Sequence, residues 1–163
     1  MSMPPVSQFL AQQNVVHRVF RHAQPVNSLE EAARAREQAP GQLIRSLLFR
    51  LGAENFFMVL AAGPGQVSWP ALRAHFGQSR LTMATEAEVL AVTGYRVGSV
   101  SPLGLPAPLR MLADEAVFAF DEISIGSGER SVAVIMASAD LRRLLPALEI
   151  GHWMAVTASF RVK

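Results

Sequence analysis

Apolar and polar positions alternate along this chain in short blocks. Residues 6–14 carry helical spacing, and Val15 to Arg21 (VVHRVFR) alternates like a strand. Ser28-Leu29-Glu30-Glu31 has the form of a capping box and opens a helix over 29–38, which stops before Pro40-Gly41. Leu43 to Leu51 (LIRSLLFRL) and Asn55 to Ala61 (NFFMVLA) are apolar runs rich in strand formers. The joint Gly52-Ala53-Glu54 makes them a predicted β-hairpin. Ser68-Trp69-Pro70 begins a helix that ends at Gly77, and Leu81 to Ala84 is a short strand. Thr85-Glu86-Ala87-Glu88 is a second capping box, with Gly94 closing its helix.

The pattern then breaks. Tyr95 to Pro108 (YRVGSVSPLGLPAP) holds two Gly and three Pro and reads as neither helix nor central strand. A strand near 109–113 follows, then a turn or short helix at 114–118 and strands at 121–126 and 131–137. Ser138 is placed to cap a helix over 139–147, and Trp153 to Val162 reads as a last strand. About seven strands and five short helices predict a mixed α/β domain of the α+β type. Several neighbouring strands are joined too tightly for parallel crossovers, so the expected sheet is mixed or largely antiparallel, or a partial barrel, with flanking short helices.

Composition narrows the function classes. The 163 residues are 50% hydrophobic and 17% charged, the content of one folded domain spanning 1–163. No run approaches the roughly 18 apolar residues of a membrane span, and the N-terminus has no signal-peptide pattern, so a cytoplasmic, non-membrane protein is expected. The absence of cysteine excludes disulfides, thiolate metal sites and a cysteine nucleophile. His17, His22, His75 and His152 have no metal-ligand spacing, so neither metal nor cofactor is expected. The pI of 9.9 reflects the scarcity of groups titrating between His and Arg more than a large positive charge, since the net charge is only +2. Residues 1–50 carry six Arg against three Glu, residues 81–129 two Arg against seven acids, and residues 130–163 five basic groups against two acids. Basic ends that met in space would suit a phosphate backbone, while a solvated arginine-rich surface is the plainer reading.

Three features stand out as candidate chemistry. Arg45 interrupts an apolar strand, so it must find a carboxylate, a ligand anion or water. The 95–108 loop, stiffened by proline and opened by Gly98 and Gly104, can hold a carbonyl or an oxyanion with its amides, or can simply connect. Ile125 to Arg130 (IGSGER) is a two-glycine turn, either a hairpin or an anion nest, and it matches neither a Walker loop nor a dinucleotide fingerprint. There is no GxSxG elbow.

Ordered motifs carry a resemblance. Ile44-Arg45-Ser46-Leu47-Leu48-Phe49 is followed by Val59-Leu60-Ala61-Ala62-Gly63-Pro64-Gly65, then by Thr93-Gly94-Tyr95. Gly98-Ser99-Val100-Ser101-Pro102 comes next and runs into Leu103-Gly104-Leu105, before Asp121-Glu122 and Gly126-Ser127-Gly128. In order and spacing the chain resembles the YbaK and prolyl-tRNA-synthetase-associated editing domains, the freestanding aminoacyl-tRNA deacylases, from about its first helix to Leu145. The resemblance implies that fold and hydrolysis, in trans, of the ester of a mischarged aminoacyl-tRNA. The 3′ end of the tRNA is then the partner, with a synthetase as a second one and no role for DNA. It implies a catalytic set of Arg45, Gly98, Ser99, Val100, Ser101 and Pro102, and substrate contacts from Ser46, Leu103, Gly126, Ser127 and Gly128. Loop amides would hold the ester carbonyl, while water or a ribose hydroxyl attacks. The family's usual lysine is Arg45 here, and Ser131-Val132-Ala133-Val134 lacks the acid some members carry. Arginine keeps its proton, so Arg45 would act by charge and geometry. A non-catalytic binder of aminoacyl-tRNA or synthetase, and a small-molecule esterase or ligand-binding protein, are the alternatives on the same fold.

Overall fold

The computed structural model describes residues 2–156. Within them the helices are α1 (Pro5–Gln12), α2 (Leu29–Ala35), α3 (Trp69–Phe76), α4 (Glu86–Thr93) and α5 (Ser138–Leu144). The strands are β1 (His17–Arg21), β2 (Ile44–Leu51), β3 (Asn55–Ala62), β4 (Leu81–Met83), β5 (Arg110–Asp114), β6 (Glu122–Gly126), β7 (Val132–Ala137) and β8 (Glu149–Gly151). Short 3-10 turns occupy Pro40–Gln42 and Glu115–Phe118.

The strands form two sheets, and among the described residues neither closes into a barrel. One is antiparallel, in the order β1-β7-β6. The other is mixed, in the order β4-β2-β3-β5-β8. The hairpin β2–β3 is in register from Ile44–Ala62 to Leu51–Asn55. β5 lies parallel to β3 because the chain between them makes a long excursion through α3, β4, α4 and the proline loop. A parallel bridge from Leu43 to Ser124 joins the two sheets.

β3 is the centre of the mixed sheet and is buried on both faces, which is why NFFMVLAA reads as a continuous apolar run. Met58 and Leu60 point to one core with Ile44, Leu48, Ile123, Ile125, Val134 and the α1 residues Val6 and Leu10. Phe57 and Val59 point to the other, with Phe49, Leu72 and the flanking Trp69 and Phe76.

Local signals set the boundaries. The Ser68 hydroxyl accepts the Ala71 amide, and Gly77 ends α3 at φ +63°. Thr85 and Glu88 form the full capping box of α4, closed by Gly94 at φ +79°. Three expectations need correction. The Ser28 hydroxyl does accept the Glu31 amide, but the Glu31 carboxylate takes the amide of Asn27, and α2 ends at Ala35. Ser138 does not cap α5. It is the first residue of the helix, and its hydroxyl donates to the Phe120 carbonyl. The strand expected over 153–162 falls largely outside the described residues; within them Met154 makes a single bridge to Val67, and the strand at this end is β8.

Candidate active site

The site begins with a gap in the sheet. β4 pairs only with Phe49 to Leu51, and Leu43 bridges to β6, so between them β2 has no strand on that side among the described residues. A cavity of about 700 Å³ opens along this stretch, and residues 44–48 all line it. That size lies within the range of about 300–1,000 Å³ usual for small-molecule sites. The other walls come from α2 and the chain before it, from Met83, Ala84, Glu86 and Val89, from Val97, Gly98 and Val100, and from the facing parts of β6 and β7.

The loop wall is locked from behind. Tyr95, the single tyrosine, is buried and donates its hydroxyl to the Leu103 carbonyl at 2.7 Å, and burial raises its pKa. Gly128 lies against the Tyr95 ring, where a Cβ would come to 2.8 Å from Cε1, and its amide donates to the Ser99 carbonyl at 2.9 Å. At Gly126 a Cβ would overlap the Val100 carbonyl oxygen and stand 2.8 Å from its carbon, so only glycine lets β6 run this close to the loop. The loop hydroxyls are spent inside the fold. Ser99 donates to the Arg96 carbonyl and Ser101 accepts the Leu103 amide. In the turn, Ser127 donates to the Val132 carbonyl and accepts the Glu129 amide. All three are buried. The Ser99 amide is taken by the Arg96 carbonyl, whereas the Gly98 and Val100 amides have no protein acceptor among the described residues.

The strand wall is different. Alternation along β2 puts Ser46 on the face of Ile44 and Leu48, and its hydroxyl is buried without a hydrogen-bond partner among the described residues. Arg45 lines the cavity, but its guanidinium is held by backbone and not by an acid. Nε donates to the Gly63 carbonyl at 2.8 Å and Nη2 donates to the Gly65 carbonyl. Burial lowers its pKa, and among the described residues no carboxylate pairs with it. A guanidinium has five N–H donors, so three stay free of these bonds.

Ten of the eleven predicted residues fall into two groups. Arg45, Ser46, Gly98, Val100 and Gly126 line the cavity together. Ser99, Ser101, Leu103, Ser127 and Gly128 lie behind its wall as supports. Pro102 lines a second cavity of about 580 Å³, between residues 105–111 and 144–149. The sequence reading missed His22, Arg36 and Glu86, which also line the first cavity. Thirteen intervening residues separate His22 from Arg36 without any motif, so only the fold reveals that they meet. Among the described residues no group of three or more His, Asp or Glu is placed to hold a metal ion.

Among the described residues the cavity thus joins a glycine-backed loop, a stretch of β2 without a neighbouring strand on one side, and the guanidinium groups of Arg36 and Arg45. Residues 23–144 match the family model described as "Aminoacyl-tRNA editing domain", and the chain belongs to that family. Among its relatives, the Multifunctional Ser/Thr-tRNA deacylase ProXp-y of Escherichia coli K12 is 30% identical over 139 residues, covering 83% of each chain. The proline–tRNA ligase of Kosmotoga olearia is 36% identical over 92 residues, which are 56% of this chain but only 16% of the ligase. The fold also matches the crystal structure of a candidate trans-editing enzyme for prolyl tRNA synthetase. That match has a TM-score of 0.82 and 23% identity, covering 93% of this chain and 96% of the other. Among the described residues no helix is long and apolar enough to cross a membrane.

Proposed function

We propose that this chain hydrolyses, in trans, the ester of a mischarged aminoacyl-tRNA in the cavity beside β2. The observation that carries the reading is the pairing of a cationic cavity with a rigid loop in a member of the editing-domain family. The aminoacylated 3′ adenosine enters, and Arg45 holds its phosphate or the ester carbonyl with the donors that Gly63 and Gly65 leave free. The amides of Gly98 and Val100 stabilise the oxyanion. Water, or the tRNA's own ribose hydroxyl, attacks the carbonyl carbon. When water attacks, the acyl–oxygen bond breaks, the ribose oxygen takes water's proton, and free amino acid and uncharged tRNA leave. When the ribose hydroxyl attacks, the acyl group passes to its oxygen, the released ribose oxygen takes its proton, and one water then hydrolyses the new ester. An aminoacyl ester is activated, so positioning and oxyanion stabilisation suffice without a protein nucleophile.

The unpartnered Ser46 hydroxyl favours a small hydroxylated side chain. Serine and threonine fit it, and they are the residues in the name of the E. coli relative. The ligase relative carries the matched segment within its own chain, which supports a synthetase as a second partner class.

The deciding experiment is a panel of charged tRNAs assayed for deacylation, with Ser-tRNA and Thr-tRNA expected to turn over fastest. Binding of charged tRNA without turnover would make the chain a binder. Turnover of small esters indifferent to the tRNA would make it an esterase.

A further inference from the structure

Arg36 and His22 form a pair on the cavity wall that the hydrolysis above leaves unused. Arg36 Nε donates to His22 Nε2 at 3.1 Å, so that nitrogen carries no proton and the ring is neutral, protonated on Nδ1. The backbone fixes the pair. The His22 amide donates to the Ser131 carbonyl at 2.9 Å, and Ser131 itself lines the cavity at φ +62°. The histidine turns the guanidinium without neutralising it.

Arg36 is half-buried, and among the described residues no carboxylate pairs with it. Burial lowers its pKa, and burial followed by the Arg36 charge lowers that of His22. A desolvated cation facing a cavity without a counter-ion is costly unless an anion arrives there. The cavity lining holds two guanidinium groups, Arg36 and Arg45, against the single carboxylate of Glu86. An α-ammonium group is repelled by Arg36. A phosphodiester suits its planar fork.

We infer that the Arg36–His22 pair is a second anion subsite, which binds a backbone phosphate of the nucleic-acid strand whose end enters the cavity. The inference rests on the proposed deacylase reading and deepens it. Arg45 serves the reacting end, Arg36 serves the strand behind it, and His22 is a positioning residue.

The test compares two substrates, charged tRNA and the matching 3′-aminoacyl-adenosine, which has no phosphate. Removing a charge-assisted hydrogen bond costs about ten- to a hundredfold. Arg36→Gln is expected to lose that factor in kcat/KM on charged tRNA, mainly through KM, and at least tenfold less on aminoacyl-adenosine. Arg36→Lys restores part of the loss. Equal losses on both substrates, or no loss on charged tRNA, overturn the inference. If the wild-type protein hydrolyses no charged tRNA, the deacylase reading falls separately. Binding of the uncharged trinucleotide pCpCpA then decides the subsite. Weakening by Arg36→Gln supports it, and equal binding by variant and wild type overturns it. Melting temperatures of the variants separate either result from misfolding.

Discussion

Two walls of one cavity are built in opposite ways. The loop wall from Tyr95 to Gly104 sends its hydroxyls inward and is pinned by Tyr95, Gly126 and Gly128. Among the described residues the strand wall along β2 leaves the Ser46 hydroxyl unpartnered and the Arg45 charge without an acid. The first wall spends its hydroxyls on structure and keeps only the Gly98 and Val100 amides without a protein acceptor among the described residues, whereas the second leaves side chains open on the cavity side. The serine side chains of the loop thus serve the fold, while the side chains of the strand face the cavity.

The sharpest way to break this contrast is Gly126→Ala. Its Cβ would collide with the Val100 carbonyl, which belongs to backbone and cannot swing aside. Overpacking of this kind costs about 3 kcal/mol or more, which lowers the melting temperature by roughly 10 °C. Activity should fall with it. A thermal melt that hardly moves would mean the loop is not braced by β6. Arg45→Ala comes next. It should remove most deacylation of charged tRNA, with Arg45→Lys retaining a measurable part, as read by kcat/KM on one charged tRNA. Full activity of the alanine variant would take the reacting end away from Arg45.

A smaller effect separates the serines. Ser46→Ala deletes a buried hydroxyl that has no partner to lose, so stability should hold or rise slightly. Deacylation of Ser-tRNA should fall about tenfold, the worth of one hydrogen bond. Ser127→Ala should do the reverse, costing about 1 kcal/mol of stability with little direct effect on turnover. Finding the two variants interchangeable would erase the distinction between the walls.

The smallest effect lies outside the site. Glu149 accepts hydrogen bonds from Arg110 at 2.6 and 2.9 Å and from His75 at 2.9 Å. The bonds from Arg110, more than any other influence, bring its pKa to about 2 from an ordinary 4.5. A carboxyl held lower in the folded chain than in the unfolded one stabilises above the unfolded value and loses that contribution as pH falls. Denaturant midpoints of the wild type and Glu149→Gln should therefore converge between pH 4.5 and 2. A gap that stays constant across that window would remove the ion pair from the account of acid stability.

The fold was largely legible because its punctuation is local. Ser68, Thr85, Gly77 and Gly94 act within a few residues of themselves, and the hairpin β2–β3 announces itself by two apolar runs and a short turn. What could not be read depends on distant partners. The hydroxyl of Ser138 goes to Phe120, and β8 has only Glu149, Ile150 and Gly151, held by pairing with β5. In the site, the loop and Arg45 were visible as departures from pattern. The partners of Arg45 were not, since they are backbone carbonyls and carry no side-chain signal. His22 and Arg36 were invisible for a similar reason. Neither is unusual in its own segment, and only the approach of β1 to the end of α2 makes them a pair.

The unpaired length of β2 also bears on solubility. A bare strand edge invites another sheet to add to it, and proteins usually blunt such edges with charge, proline or a covering segment. Here the vacant stretch is flanked by β4 on one side and by the Leu43–Ser124 bridge on the other, at the wall of a cavity. The bare backbone of β2 is therefore offered inside a recess and not along an open sheet edge.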